Sequence, residues 1–167
     1  MSSLTPTILS IQNFETTHLE SDIYELNSSI RWEWYNRIIL RYFERMPDRS
    51  FIAIKNGKII GYIILDLKPV APERKVPYVP FMAVHLHEHH SGVGTLLMLE
   101  ALKKTHEIGQ SLLRLECLPS RCSFYQSISN KAQAIIEGFS ITYDHFISGS
   151  YPNGDEEHSF IFNINPL

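Results

Sequence analysis

The sequence predicts a mixed α/β (α+β) fold, in which a central, mostly antiparallel sheet of six to seven strands is flanked by about four helices. Helical and strand periodicities alternate along the 167 residues in the order β-α-α-β-β-β-α-β-α-β-β. A three-strand meander precedes a β-α-β crossover, which brings parallel and antiparallel strands into one sheet. Apolar residues make up 44% and charged residues 20%, as is usual for a globular domain with its own core.

Composition limits the classes of function. The length fits one domain, so we expect residues 1–167 to form a single domain. Two cysteines are too few for a disulfide framework, and a net charge of −3 disfavours a nucleic-acid partner. Residues 1–10 lack the basic start of a secretory signal, and no apolar run approaches the ~18 residues of a membrane span. We therefore expect a cytoplasmic protein with no membrane or nucleic-acid partner.

The N-terminal part predicts one strand and two helices. A strand is expected over Thr7–Phe14 and a helix over Thr16–Ser29. A stronger helix is expected over Ile30–Met46, because its apolar residues recur at offsets of three and four and a proline follows. Trp32 and Trp34 stand near its start, where packing in the core is a more common role than a platform for a ligand.

The next segment predicts a hairpin, a loop and a strand. Phe51–Lys55 and Lys58–Leu67 flank Asn56-Gly57, the dipeptide that a type I′ turn favours. Residues 68–77 contain three prolines and mixed charge, so we expect a loop. Tyr78–Leu86 is a strand candidate whose third residue is a proline, which implies an edge, a bulge or a splayed stretch.

The C-terminal half predicts two further helices and three strands. Gly92–Ile108 is an amphipathic helix followed by a capping glycine. Leu112–Cys117 is a strand, and Ser120–Glu137 is helical in one piece or two. Phe139–Ile147 and Ser159–Ile164 alternate apolar and polar residues, which indicates a terminal antiparallel pair.

The segment Ala83–Leu97 is the most informative part of the chain. A strand ends, a polar loop follows, and Gly92 and Gly94 lead into a strong helix. Glycines let main-chain amides approach a ligand, and a helix N-terminus favours a phosphate or diphosphate. No Gly-Lys-Ser/Thr follows, which excludes a Walker A loop, and Leu97 occupies the third glycine position of the dinucleotide fingerprint.

This segment resembles the acetyl-CoA motif of the GNAT superfamily of N-acetyltransferases, V-x-P-x-x-(R/Q)-x-x-G-x-G/A. Val84 begins the motif, and Gly92 and Gly94 fall on its two glycine positions. Leu86 stands where proline is common, and His89 stands where Arg or Gln is usual. Because imidazole has fewer donors than guanidinium, we expect a somewhat weaker or pH-dependent affinity for CoA.

The resemblance implies the GNAT acyl-CoA N-acyltransferase fold and transfer of an acetyl group from acetyl-CoA to a primary amine. In that family, the pantetheine arm lies along an opened strand like an added strand. The residues expected to bind acetyl-CoA are the strand residues Met82, Ala83 and Val84 and the loop residues His89, His90, Ser91, Gly92, Val93, Gly94 and Thr95.

The resemblance also implies a general acid on the fourth helix, in a pattern like F/L-Y-x-x-x-G-F. Phe124-Tyr125 matches its start, but Gly138-Phe139 comes later than the pattern requires. Either the helix carries an insertion, or Asn130–Glu137 is the fourth helix and Ala134 holds the tyrosine position. Tyr125 is thus either the acid that protonates the leaving thiolate or a packing tyrosine with its hydroxyl at the surface.

The general base is left open by the sequence. Glu116 on the fifth predicted strand and His85 beside the motif are candidates, and a water chain can serve instead. Cys117 as a nucleophile is disfavoured, because its strand looks buried and no activating partner is evident.

A run of four histidines raises the question of a metal site, and the sequence argues against one. His85, His87, His89 and His90 lie close in sequence, but only Glu88 adds a carboxylate, and a metal site needs defined geometry and an oriented second shell. We therefore expect acetyl-CoA as cosubstrate and no metal.

The acceptor amine is not identified by the sequence. In this fold the first two helices and the terminal hairpin build the acceptor pocket, which would include Trp32, Trp34, Tyr35 and the acidic loop 151–157. That loop either attracts a cationic amine or is a solvated tip. A non-catalytic acyl-CoA-binding sensor, a different acyl donor and a homodimer all stay open.

Overall fold

The computed structural model describes residues 5–133 and 138–167 of the chain. These residues form four α-helices and nine strands, arranged in one sheet of four strands and one of five. The chain divides into two compact units, one with the residues up to Leu65 and Pro80–Ala101, the other with Asp66–Val79 and Leu102–Leu167. The predicted mixed α/β fold is confirmed, with its strands in two hydrogen-bonded sheets rather than one.

An antiparallel sheet forms the centre of the first unit. Its strands are β1 (Thr7–Ser10), β2 (Ser50–Lys55), β3 (Lys58–Ile64) and β6 (Met82–Val84), in the order β1-β2-β3-β6. The turn between β2 and β3 has positive φ at both Asn56 (54°) and Gly57 (72°), as a type I′ turn requires. The hairpin predicted from this dipeptide is confirmed.

Two helices pack in the first unit, α1 (Leu19–Ser29) and α2 (Asn36–Arg45). Their apolar faces join the sheet in one core cluster, to which Ile23 and Phe43 contribute. The prediction that the second helix begins at Ile30 is wrong. Arg31 has φ 61°, and this left-handed conformation cannot lie inside a right-handed helix.

A buried hydrogen-bond chain links α1, α2 and β3. The Tyr62 side chain is fully buried, and its hydroxyl donates to Asn27 Oδ1 at 2.8 Å. Asn27 Nδ2 in turn donates to Asn36 Oδ1 at 2.8 Å. Burial raises the pKa of Tyr62, so its hydroxyl stays protonated and remains a donor. The chain satisfies groups that would otherwise be unpaired in the core.

Replacing Tyr62 with Phe should lower the free energy of unfolding by about 1–3 kcal/mol, because Asn27 Oδ1 loses its donor while buried. Urea unfolding followed by circular dichroism measures this. Tyr24→Phe is the control, since the Tyr24 hydroxyl bonds Glu20 at an exposed site and its loss should change stability by less than about 0.5 kcal/mol. Equal effects of the two substitutions would contradict the prediction.

The second unit contains the five-stranded sheet. Its strands are β4 (Asp66–Ala71), β5 (Arg74–Tyr78), β7 (Leu112–Cys117), β8 (Phe139–Ser150) and β9 (Glu156–Pro166), in the order β4-β5-β7-β9-β8. All neighbours are antiparallel except β5 and β7. The prediction that residues 68–77 form a loop is wrong, because β4 and β5 form a hairpin. Pro69 is tolerated since β4 is an end strand, where one side needs no donor.

The strand predicted over Tyr78–Leu86 is interrupted at Pro80. Before the proline, the Val79 N–H donates to a main-chain oxygen of β7 at 2.9 Å. After it, the Phe81 oxygen accepts from an N–H of β3 at 3.0 Å. The chain therefore changes sheets where the residue without an N–H stands, as the expectation of a splayed stretch implied.

The remaining helices are α3 (Val93–Glu107) and α4 (Cys122–Gln133). The predicted helix over Gly92–Ile108 is confirmed, and Gly109 with φ 77° follows it as a cap. The first half of the alternative fourth helix, Asn130–Glu137, belongs to α4, whereas Ala134 and the rest of it lie outside the described residues. Within the described ranges, every helix is too short or too polar to cross a membrane.

Candidate functional site

The connection from β6 to α3 is a tight loop with two left-handed residues. A 3₁₀ turn spans Leu86–Glu88, and the chain then bends at His90 (φ 64°) and Gly92 (φ 89°). A Cβ built on Gly92 meets no atom within 4 Å. Glycine is therefore required here for its φ rather than for space, and the bend it allows leads the chain into α3.

The first turn of α3 presents main-chain donors. Its first hydrogen bond runs from Leu96 N–H to Gly92 O at 3.1 Å. The N–H groups of Val93, Gly94 and Thr95 therefore have no acceptor within the helix. With the positive end of the helix dipole, these groups form a surface suited to an anion such as a diphosphate.

His89 fastens the loop to the strand that precedes it. Its Nε2 lies 2.8 Å from Val84 O, and because a carbonyl oxygen can only accept, Nε2 must carry the proton and donate. The sequence placed His89 among the loop residues expected to bind acetyl-CoA. In the structure, its imidazole closes the loop through a main-chain oxygen of β6.

Two further contacts hold the loop. The Glu88 carboxylate lies 3.2 Å from Lys55 Nζ on β2, and both side chains are partly buried. The Leu86 N–H donates to Ser29 Oγ at the end of α1 at 3.1 Å. Glu88 entered the sequence analysis only as a possible metal ligand, but its side chain instead anchors the loop to the sheet.

Among the described residues, strand β6 pairs with β3 along one edge and with no strand along the other. Phe81 O and His85 N–H both bond β3, and main-chain groups of successive residues point to opposite edges. Ala83 therefore also faces β3, whereas Met82 and Val84 face the other edge. Since Val84 O accepts from His89, Met82 N–H and C=O and Val84 N–H are the groups that this edge offers to a ligand.

His85 is poorly placed to act as a base. It lines a cavity of about 170 Å³, where its Nδ1 accepts the His87 N–H at 3.2 Å. In neutral imidazole the proton is then on Nε2, which lies 4.0 Å from the Glu25 carboxylate, so neither nitrogen offers a free lone pair. The histidine run does not converge on one point, because His85 and His87 stack on each other while His89 bonds a carbonyl.

Tyr125 is buried in the second unit. Its ring packs against Phe124 at 4.9 Å and Phe160 at 5.6 Å between centroids. Burial raises the pKa of Tyr125, and Cys117 adds to the effect. The phenol therefore stays protonated at neutral pH, as a proton donor must, but a raised pKa also makes donation less favourable. Its role as general acid stays a prediction.

The end of β7 carries Glu116 and Cys117. Burial, followed by the nearby Cys122, raises the pKa of Cys117 to about 12, so its thiolate is scarce and a nucleophilic role is disfavoured. Burial also raises the pKa of Tyr151, and the nearby Glu157 carboxylate adds to the effect.

The expected acceptor residues have mixed environments. Trp32 packs edge-on against Tyr35 and Phe81, in agreement with a core role. Trp34 is 70% exposed. The acidic loop is exposed, and Asp155 accepts a hydrogen bond from Asn153 Nδ2 at 2.8 Å, as in a solvated turn.

A comparison with family models identifies the chain. The model of the Acetyltransferase (GNAT) family matches residues 11–128, which is more than half of the chain and includes β6, the loop, α3 and Tyr125. The chain belongs to the GNAT acetyltransferase family. This confirms the resemblance seen in the glycine-containing loop. No curated protein sequence matches the chain significantly.

Solved GNAT-type structures share the fold over nearly the whole chain. The diaminobutyrate acetyltransferase EctA from Paenibacillus lautus, in complex with L-2,4-diaminobutyric acid and coenzyme A, is 18% identical, with a TM-score of 0.68 over 97% of this chain and 95% of EctA. Ard1 from Thermoplasma volcanium is 19% identical (TM-score 0.66; 98% and 100% covered). The ribosomal-protein-S18-alanine N-acetyltransferase from Escherichia coli is 17% identical (TM-score 0.61; 98% and 96% covered).

Gly61 is a residue of this GNAT chain that our sequence analysis missed. A Cβ at this position would lie 3.1 Å from Ala83 O, 3.1 Å from Leu97 Cδ1 and 3.2 Å from Val93 Cγ1. The glycine therefore lets α3 and β6 approach β3 closely. Its position inside the apolar strand pattern KIIGYII was the available signal, since glycine within a strand often marks a close approach.

Replacing Gly61 with Ala should lower the free energy of unfolding by about 1–3 kcal/mol, because the new methyl group overpacks against a main-chain oxygen that cannot move alone. Chemical denaturation measures the change. Gly149→Ala is the matched control in β8, where the nearest atom to a Cβ is 3.9 Å away. The prediction is wrong if both variants lose the same stability.

Proposed function

We propose that this GNAT protein transfers an acetyl group from acetyl-CoA to a primary amine. The observation that carries the proposal is the family match over a loop that leads into α3, whose first three N–H groups have no acceptor within the helix. The relative solved with coenzyme A and a diamino acid supports an acyl-CoA donor and an amine acceptor.

The donor half of the reaction uses main-chain groups. The diphosphate of CoA is bound by the N–H groups of Val93, Gly94 and Thr95, where the helix dipole adds positive potential. The pantetheine arm bonds the outward N–H groups of Met82 and Val84, like a strand added to a sheet. His90 and Ser91 are exposed in the same loop and add contacts there. Ala83 and His89, which were also expected to bind, act indirectly, because Ala83 pairs with β3 and His89 holds the loop to Val84.

The chemical step is direct attack of the amine on the thioester. The neutral nitrogen forms a bond to the carbonyl carbon, the C–S bond breaks, and CoA leaves as a thiolate. Tyr125 gives its phenolic proton to that thiolate and regains one from solvent. The nitrogen loses its proton through water to Glu116, the carboxylate at the end of β7.

Gly92→Asp should weaken CoA binding by at least about tenfold, because aspartate is strained at φ 89° and its carboxylate repels the diphosphate. Isothermal titration calorimetry with CoA measures this. Gly154→Asp provides a control with the same φ of 89° in the β8–β9 turn, and it should retain wild-type affinity. Full CoA affinity of Gly92→Asp would overturn the proposed binding site.

Tyr125→Phe should reduce kcat by about 10²–10⁴-fold while leaving the affinity for CoA unchanged, because only the proton donor is removed. Release of free thiol, followed with an amine panel, gives the rate. Tyr143→Phe is the control, since Tyr143 also packs against Phe160 but has no proposed chemical role. Full turnover of Tyr125→Phe would remove Tyr125 from the mechanism.

A non-catalytic acyl-CoA sensor is the second candidate, and the burial and raised pKa of Tyr125 favour it. The same thiol-release assay distinguishes the two functions. Turnover with at least one amine supports the transferase. CoA binding by calorimetry with no turnover across amino acids, polyamines and peptide N-termini supports the sensor.

A further inference from the structure

Cys122, His145 and His158 form a cluster of potential metal ligands in the second unit. His145 Nε2 lies 2.7 Å from His158 Nδ1 and 3.8 Å from Cys122 Sγ, and the three ligand atoms all lie within 4.8 Å of one another. All three side chains are partly exposed, so an ion can reach them. The proposed acetyl transfer uses none of these groups.

The register of the terminal hairpin brings the two histidines together. His145 on β8 pairs with Phe160, and His158 on β9 pairs with Ile147. The imidazoles are therefore diagonal neighbours on one face of the sheet. Cys122 is the first residue of α4, so the cluster joins a helix to both strands of the hairpin.

The separations suit a tetrahedral zinc ion. Zn–N bonds of about 2.0 Å and Zn–S bonds of about 2.3 Å give ligand-atom separations of roughly 3.3 Å between nitrogens and 3.5 Å between nitrogen and sulfur. The observed 2.7 Å and 3.8 Å differ from these values by about 0.6 Å and 0.3 Å. The third separation, between Cys122 and His158, is at most 4.8 Å, and small side-chain rotations can bring all three ligand atoms to one ion. A thiolate and two imidazoles also favour Zn²⁺ as the bound ion, because Mg²⁺ and Ca²⁺ prefer oxygen ligands.

Neighbouring groups orient both rings, as the outer contacts of a metal site do. Glu156 Oε2 lies 3.1 Å from His158 Nε2, and a proton held there leaves Nδ1 free as a ligand atom. The His145 ring stacks on Phe160 at 4.3 Å with an interplanar angle of 8°, which limits its rotation.

We propose that Cys122, His145 and His158 bind Zn²⁺, with Glu156 positioning His158. On binding, the Cys122 thiol proton goes to solvent, and the Nε2 proton of His145 is replaced by one on Nδ1. The fourth position is open to water or to another small ligand, as in three-ligand zinc sites. The bound ion cross-links α4 to β8 and β9 and stabilises the folded chain.

The test uses the untagged full chain after removal of metals with a chelator. Zn²⁺ should bind with one-to-one stoichiometry in isothermal titration calorimetry and raise the melting temperature. Co²⁺ should give a thiolate charge-transfer band. Cys122→Ser should abolish that band, and Glu156→Gln should weaken zinc affinity by about 10–100-fold while the chain stays folded.

His87→Gln is the matched control, because His87 belongs to the other histidine-rich segment. Unchanged zinc affinity in this variant supports the proposal. The proposal is overturned by absence of one-to-one zinc binding, by a cobalt spectrum without a thiolate band, or by loss of binding in His87→Gln with retention in Glu156→Gln. If Cys122→Ser fails to fold, the wild-type cobalt spectrum and Glu156→Gln still decide the question.

Discussion

The close packing of α3 against β3 at Gly61 governs the geometry of the proposed donor site. Because Gly61 has no side chain, Val93 and Leu97 of α3 and the oxygen of Ala83 in β6 all approach the same point of the sheet. The loop between β6 and α3 must then reverse over a short span, which explains its 3₁₀ turn and its left-handed residues. The free edge of β6 and the amides of α3 are thus placed by one packing contact.

The sequence correctly predicted those turns and helices whose conformation is determined by residues close together in the chain. Asn56-Gly57 determined its turn, and the periodicity of residues 92–108 determined α3, because both effects act within a few residues. The sequence did not predict the β4–β5 hairpin or the late start of α2. The hairpin depends on cross-strand pairing that outweighs its prolines, and the helix start depends on the conformation of Arg31, which an apolar pattern does not reveal.

The residues of the candidate site, like the elements of the fold, were predicted only where the signal is local in the sequence. Gly92 and Gly94 were found from a spacing in the sequence, but the partner of His89 and the direction of each amide of β6 depend on strand register. Glu88 looked like a possible metal ligand because it adjoins histidines, and it instead pairs with Lys55 on another strand. The cluster at Cys122 was not visible in the sequence for the same reason, since its histidines meet through the pairing of β8 with β9 and Cys122 reaches them from α4.

The shortness of β6 also bears on solubility. A strand with unsatisfied amides along one side can recruit a strand from another molecule, which leads to aggregation. Here that side extends over only three residues and follows Pro80, which supplies no donor. Such a stretch is too brief to template a foreign strand, yet it suffices for the few amide contacts of a slender ligand. The accessible backbone of β6 thus offers a strand of another molecule very few groups with which to pair.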